Sequence, residues 1–225
     1  MIAYDLIGQT PLVLLESFSD ENVKIYAKLE QFNPGGSIKD RLGKYLIEKA
    51  IDEGRLKEGD TIVEATAGNT GIGLAIASNR HKVKCIIFAP EGFAEEKISI
   101  MKALGADVRR TPKAEGMTGA QQEALAYATR YGYLYMNQFE TKDNPGAYTQ
   151  TLAKQLTDEL SHIDYFVAGV GSGGTFTGVA QHLKTYDVKN YIVEPEGSVL
   201  NGGVSHPLFF KQKTAYEMCV SDWSS

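Results

Sequence analysis

A chain of 225 residues, 43% of them hydrophobic, can bury a sizeable core and has room for one or two domains at roughly 150 residues each. Its net charge of -5 and pI near 5.5 argue against the basic face that nucleic-acid phosphates require. The start "MIAYDLIGQTPLVLL" lacks the pattern of a signal peptide, and no stretch approaches the roughly 20 apolar residues that span a bilayer, so neither export nor a membrane partner is expected.

Two cysteines, Cys85 and Cys219, offer no disulfide framework, which suits a reducing cytoplasm. Four histidines, His81, His162, His182 and His206, lack an HxxxH or HExxH spacing, and no metal is expected.

In chain order, "PLVLLESFSDENVKIYAKLE" reads as two extended runs joined by the turn-rich "SFSDEN", a hairpin or meander. From residue 40 onward short β-branched runs alternate with helical periods, the signature of βαβ units and a parallel sheet. The predicted strands are "TIVEA" at Thr61, "VKCIIFA" at Val83, "ADVRR" at Ala106, "YLYM" at Tyr133, "DYFVAGV" at Asp164 and "VKNYIVE" at Val188. Predicted helices cover residues 38–53, 69–79, 94–104, 116–131, 145–160 and 174–185.

The stretch "NPGGSIKDR" places Lys39 at the start of the first of these helices, where the helix dipole favours an acid over a cation. On a wheel at about 100° per residue, Asp40, Arg41, Lys44, Glu48 and Asp52 share one polar arc, while Lys39 lies between Leu46 and Ala50. The lysine therefore heads the stripe expected to be buried. Apolar surroundings and a positive helix end both favour the neutral amine, the form that condenses with a carbonyl. The alternative is a stem that packs on Leu46 and carries its amine out to water.

Two glycine loops follow strands and open helices. In "TIVEATAGNTGIGLA" the turn Thr66, Ala67, Gly68, Asn69, Thr70 presents backbone N–H groups and polar side chains suited to a carboxylate or phosphate, or is a capped turn alone. In "DYFVAGVGSGGTFTGVA", Gly171, Ser172, Gly173, Gly174 and Thr175 read as a cradle for a terminal phosphate. Gly169, Gly171 and Gly174 also match GxGxxG, with Glu194 following 20 residues later, so a nicotinamide-dependent oxidoreductase is a second reading. A phosphate cradle, an anion loop and a poised amine together suit pyridoxal phosphate and an amino-acid substrate.

These residues resemble the cysteine synthase and cystathionine β-synthase family of fold-type-II pyridoxal-phosphate enzymes. The likeness runs through "IGQTPLV", "NPGGSIKDR", "EATAGNTGIGLA", "KALGADV", "EGMTGA", "NQFE", "GVGSGGTFTG" and "VEPEGSVLNGG", about residues 1–204. It implies an α/β fold like the tryptophan synthase β chain, with two three-layer αβα domains and mostly parallel sheets. Residues 1–34 and 146–204 would form the larger, cofactor domain, and 35–145 the smaller, substrate-loop domain. It further implies that Lys39 binds pyridoxal 5'-phosphate covalently, that Asn69 bonds the ring hydroxyl, and that Gly171–Thr175 hold the phosphate. Thr66–Thr70 and Gln138 would hold the substrate α-carboxylate. The implied reaction is β-replacement on O-acetylserine through an aminoacrylate, with a thiol acceptor, in a homodimer when full-length.

The sequence also departs from the family. Ala67 stands where most cysteine synthases carry serine, which resembles the bacterial O-acetylserine-dependent cystathionine β-synthases and points to homocysteine over sulfide. Family members show Gly-Pro where Ala153-Lys154 stand, which bears on where that helix starts. The family continues with a further glycine turn and a late serine or threonine for the pyridine nitrogen, so the C-terminal domain is expected to be incomplete. Residues 205–225 are expected to be a disordered, non-family tail, which from about Leu208 resembles a translated sequencing adaptor. On that basis an inactive fragment, or a non-catalytic partner of full-length subunits, is a third reading.

Overall fold

A computed structural model describes residues 2–193. The chain divides into two compact units, one of residues up to Ile38 together with those from Pro145 onward, the other Lys39–Asn144. Glu194 and the 205–225 tail lie outside the described residues. Among the described residues no helix is long and apolar enough to cross a membrane.

The first unit opens with the expected hairpin, in which β1 (Leu12–Leu14) pairs antiparallel with β2 (Tyr26–Lys28).

The unit Lys39–Asn144 is built on a four-stranded sheet. It begins with α1 (Lys39–Asp52) and continues through β3 (Thr61–Ala65), α2 (Asn69–Arg80), β4 (Lys84–Pro90), α3 (Glu95–Ala103), β5 (Asp107–Thr111), α4 (Gly116–Tyr131) and β6 (Leu134–Tyr135). The strand order is β5-β4-β3-β6 and every pairing is parallel, as the alternation of short β-branched runs with helical periods predicts.

Every residue of β3 is buried, as a central parallel strand covered on both faces requires. Val63 and Ala65, with Ile86 and Phe88 of β4, pack against Ala120, Ala124 and Ala128, which recur every fourth residue along α4. Strand alternation turns Ile62 and Glu64 to the opposite face.

Helix α1 lies directly against α2. A β-carbon on Gly43 would overlap the Gly73 backbone, and one on Gly73 would overlap the Lys39 carbonyl and sit 3.1 Å from the Asp40 Cα. Backbone-to-backbone contact at this crossing needs residues without side chains. The polar arc on α1 is corrected at its first turn, where Asp40 and Arg41 are buried, at 0% and 2% exposure. Lys44 and Glu48, further along, keep partial exposure.

The first unit resumes with α5 (Asp143–Tyr148), a π-helical turn at Thr149–Ala153 and α6 (Lys154–Glu159), followed by β7 (Tyr165–Gly169), α7 (Gly174–Leu183) and β8 (Lys189–Val193). Ala153-Lys154 lie inside this helical run, which begins at Asp143 with Pro145 in its first turn. The wide turn falls where Thr149 and Thr151 hydroxyls donate back to the carbonyls of Pro145 and Ala147, at 3.2 and 2.6 Å. Thr149 also donates to the Gly178 carbonyl at 2.8 Å, fastening the run to α7. Strands β7 and β8 pair in parallel, and Phe166 stacks on Phe176 of α7.

Within the same unit a buried polar cluster ties "GQTP" to "NPGG". Asn33 Oδ1 accepts the Gly8 N–H at 2.7 Å, Asn33 Nδ2 donates to Glu30 Oε2 at 2.9 Å, and Thr10 donates to Glu30 Oε1 at 2.7 Å.

Candidate active site

Lys39 is the first residue of α1 and is 3% exposed, so its amine is not carried out to bulk water. The Gly73 contact fixes the Lys39 carbonyl against α2 at the turn that follows the Thr66–Thr70 loop. Lys39 and this loop therefore share one end of the α1–α2 pair.

The loop leaves the C-terminal end of β3, where a parallel α/β sheet places its ligands. Thr66, Ala67 and Thr70 are buried, while Gly68 and Asn69 keep partial exposure. Asn69 and Thr70 open α2, and the Gly68 cap supplies no side-chain bond to the first N–H groups of the helix. The Thr66 hydroxyl oxygen accepts the Gly68 N–H at 3.1 Å, which leaves its proton for another acceptor.

Gln138, 1% exposed, follows β6 and reaches the same loop: Thr70 Oγ1 donates to Gln138 Oε1 at 2.7 Å. Its side-chain oxygen is thereby engaged, and its amide N–H2 group is a further donor of this corner. Thr66, Gln138 and the first turn of α2 make a donor-rich corner, suited to a carboxylate.

Glu64, which opens the motif "EATAGNTGIGLA" but is given no role there, lies beneath this corner. Its carboxylate accepts the Ala65 N–H at 2.8 Å and the Gln138 N–H at 3.1 Å. Burial pushes its pKa up to about 7 against the pull of those two bonds. The available signal was a lone acid inside the otherwise apolar strand "TIVEA".

Gly171–Thr175 belong to the other unit, between β7 and α7. Gly173 has φ +80°, a left-handed conformation that glycine adopts without strain, and Gly174 begins the helix. Gly173, the cap residue, has no side chain to bond the first N–H groups of the helix, where the Ser172 and Thr175 hydroxyls lie beside it in sequence. Helix α7 is seated by Gly178, where a β-carbon would overlap the Pro145 carbonyl oxygen.

The fold and these loops define an α/β enzyme scaffold, and comparison with known proteins gives its family. Residues 3–211 match the family model described as pyridoxal-phosphate dependent enzyme, and the chain belongs to that family. It is 51% identical over 207 residues to the O-acetylserine dependent cystathionine beta-synthase of Bacillus subtilis (strain 168), covering 90% of this chain and 67% of that protein. It is 48% identical over 214 residues to a cysteine synthase of Helicobacter pylori (strain 26695), covering 90% of this chain and 69% of that one. The crystal structure of an O-acetylserine dependent cystathionine beta-synthase from Helicobacter pylori superposes with a TM-score of 0.85 at 46% identity, over 92% of this chain and 71% of that one. The architecture is the fold-type-II pyridoxal-phosphate fold, and the chain spans about two thirds of the length of these relatives. Membership sets the GxGxxG reading aside, since the glycine loop sits within the matched family region.

Proposed function

We propose that this chain carries the cofactor and substrate-loop sites of an enzyme that performs β-replacement on O-acetylserine, with homocysteine as acceptor and cystathionine as product. The observation that carries the reading is the buried Lys39 amine at the head of α1, in the same unit as the donor-rich corner of Thr66, Gln138 and the α2 first turn. The relatives named as O-acetylserine dependent cystathionine synthases, and Ala67 in the loop, favour homocysteine. The cysteine synthase relative supports sulfide, with cysteine as product, as a second reading.

The residues fit the family's cofactor by the chemistry of their donors. Lys39 offers an amine, Asn69 a side-chain amide, and the glycine-capped start of α7 with Ser172 and Thr175 offers N–H and hydroxyl donors for a phosphate. When bound, pyridoxal phosphate supplies an aldehyde for the amine and a ring that accepts electron density from the substrate Cα. Lys39 would hold the cofactor, Asn69 its ring hydroxyl and Gly171–Thr175 its phosphate. Thr66–Thr70 and Gln138 orient the substrate by its α-carboxylate. The freed Lys39 amine takes the Cα proton, and acetate leaves Cβ with the electrons of the C–O bond. The thiol sulfur then bonds to Cβ, Lys39 returns the proton to Cα, and the thiol proton balances the departing acetate.

In this reading residues 1–34 with 146–204 form the cofactor domain and 35–145 the substrate-loop domain, and the full-length form works as a cytoplasmic homodimer. The test is borohydride reduction of the full chain incubated with pyridoxal phosphate, followed by peptide mapping. Label on the Lys39 peptide, lost in Lys39→Ala, is expected. Label only on other lysines, unchanged in Lys39→Ala, overturns the assignment. Supplying O-acetylserine with homocysteine or with sulfide to the loaded chain then separates the two acceptors.

A further inference from the structure

Glu64 is an ionisable side chain at 0% exposure in the middle of a parallel sheet, a position where an unpaired carboxylate is costly. Both of its oxygens are used. Oε1 accepts the N–H of Ala65, the residue that leads into the Thr66–Thr70 loop, and Oε2 accepts the N–H of Gln138.

Gln138 is held at two further points: Asn144 Nδ2 donates to its carbonyl at 2.7 Å, and its side-chain oxygen takes the Thr70 hydroxyl. One carboxylate thus joins the end of β3 to the segment after β6, the two pieces of chain that carry the donors of the substrate corner. Both of its partners are N–H donors, so the side chain there must accept twice. A carboxylate does this with either oxygen, whereas a glutamine of the same shape turns an N–H2 group toward one of the donors.

We propose that Glu64 is the positioning residue of the substrate-carboxylate corner, its two acceptor oxygens holding Gln138 and the Thr66–Thr70 loop in register. This rests on the reading of that corner given above. Glu64 touches no substrate; it acts through Gln138 and the loop backbone.

At about pH 8, where the carboxyl is ionised, Glu64→Gln separates this role from bulk packing, because it keeps the volume and removes the buried charge. On the full chain, amide hydrogen exchange at Ala65, Gln138 and residues 66–70 should quicken at least tenfold in this variant, while Ile86 and Ile87 of β4 keep their rates. Calorimetry of the pyridoxal-phosphate-loaded chain with L-serine should show at least a tenfold loss of affinity. Should the amide fail to fold, Glu64→Asp keeps the charge on a shorter stem, and the same local loss of protection is expected. Unchanged exchange at Gln138 and the loop, or quickening spread evenly through β4, overturns the proposal. Wild-type chain that binds no L-serine, yet loses loop protection in Glu64→Gln, upholds the positioning role and overturns the carboxylate reading of the corner.

Discussion

At Glu64 two effects oppose one another, and their balance is measurable. Desolvation raises the carboxyl while the Ala65 and Gln138 N–H groups lower it, and the pKa moves from 4.5 to about 7. The acid weighs on its neighbours: Cys85 is pushed up to about 12, chiefly by burial with Glu64 adding to it, and Tyr135 is raised for the same two reasons, Glu140 adding further. A folded pKa above the unfolded one means that the folded chain holds this proton more tightly. The stability it contributes is full below pH 4.5 and is lost as pH rises through about 7. At about 1.36 kcal/mol per unit the whole swing is roughly 3 kcal/mol. Thermal or urea unfolding between about pH 5 and pH 8 should therefore show wild type losing stability relative to Glu64→Gln as pH rises; parallel profiles would contradict it. The Cys85 thiol, buried and held protonated, should resist alkylation near pH 8 until the chain unfolds.

Among the elements, the crossing of α1 and α2 bears most directly on the site, because the Gly73 contact seats the residue that carries the amine. Gly43→Ala forces two backbones apart and should cost about 1–3 kcal/mol in urea unfolding, as overpacking does. Gly36→Ala, at φ +81° with open space around it, meets only the backbone penalty of about 1 kcal/mol. A smaller loss at Gly43 than at Gly36 would argue against close contact at the crossing.

Sequence patterning makes much of this legible: the βα rhythm yields β3, β4, β5 and α4 to within a residue or two, since period and turn chemistry are local. The burial of Asp40 and Arg41 is not legible on a wheel, which sees one helix and not what packs around it. The π turn at Thr149–Ala153 depends on hydroxyl back-bonds and a carbonyl from α7, and no periodicity encodes it. The lysine and both glycine loops could be read because their residue types are rare at those places. The lone acid in "TIVEA" is visible, but not its role, since its partner Gln138 is 74 residues away.

Across the molecule the four-stranded sheet and the β7–β8 sheet differ in how well they are covered. The four-stranded sheet buries all of β3 and most of β4, with helices against it. Among the described residues the sheet of β7 and β8 has two strands, and Tyr165, Val167 and Tyr191 on one face are 58%, 50% and 51% exposed. Two strands form a marginal sheet in water unless a helix packs against them; here α7 covers the other face through Phe166 and Phe176. The apolar burial that resists opening is therefore concentrated in the unit Lys39–Asn144. Native-state hydrogen exchange in low urea should find the amides of β3 and β4 opening only with large surface exposure, and those of Tyr165–Gly169 opening locally, at least tenfold faster and with little urea dependence. Equal protection and equal urea dependence in the two sheets would show that α7 alone stabilises the β7–β8 pair, and would place the Gly171–Thr175 loop on a support as firm as that beneath Lys39.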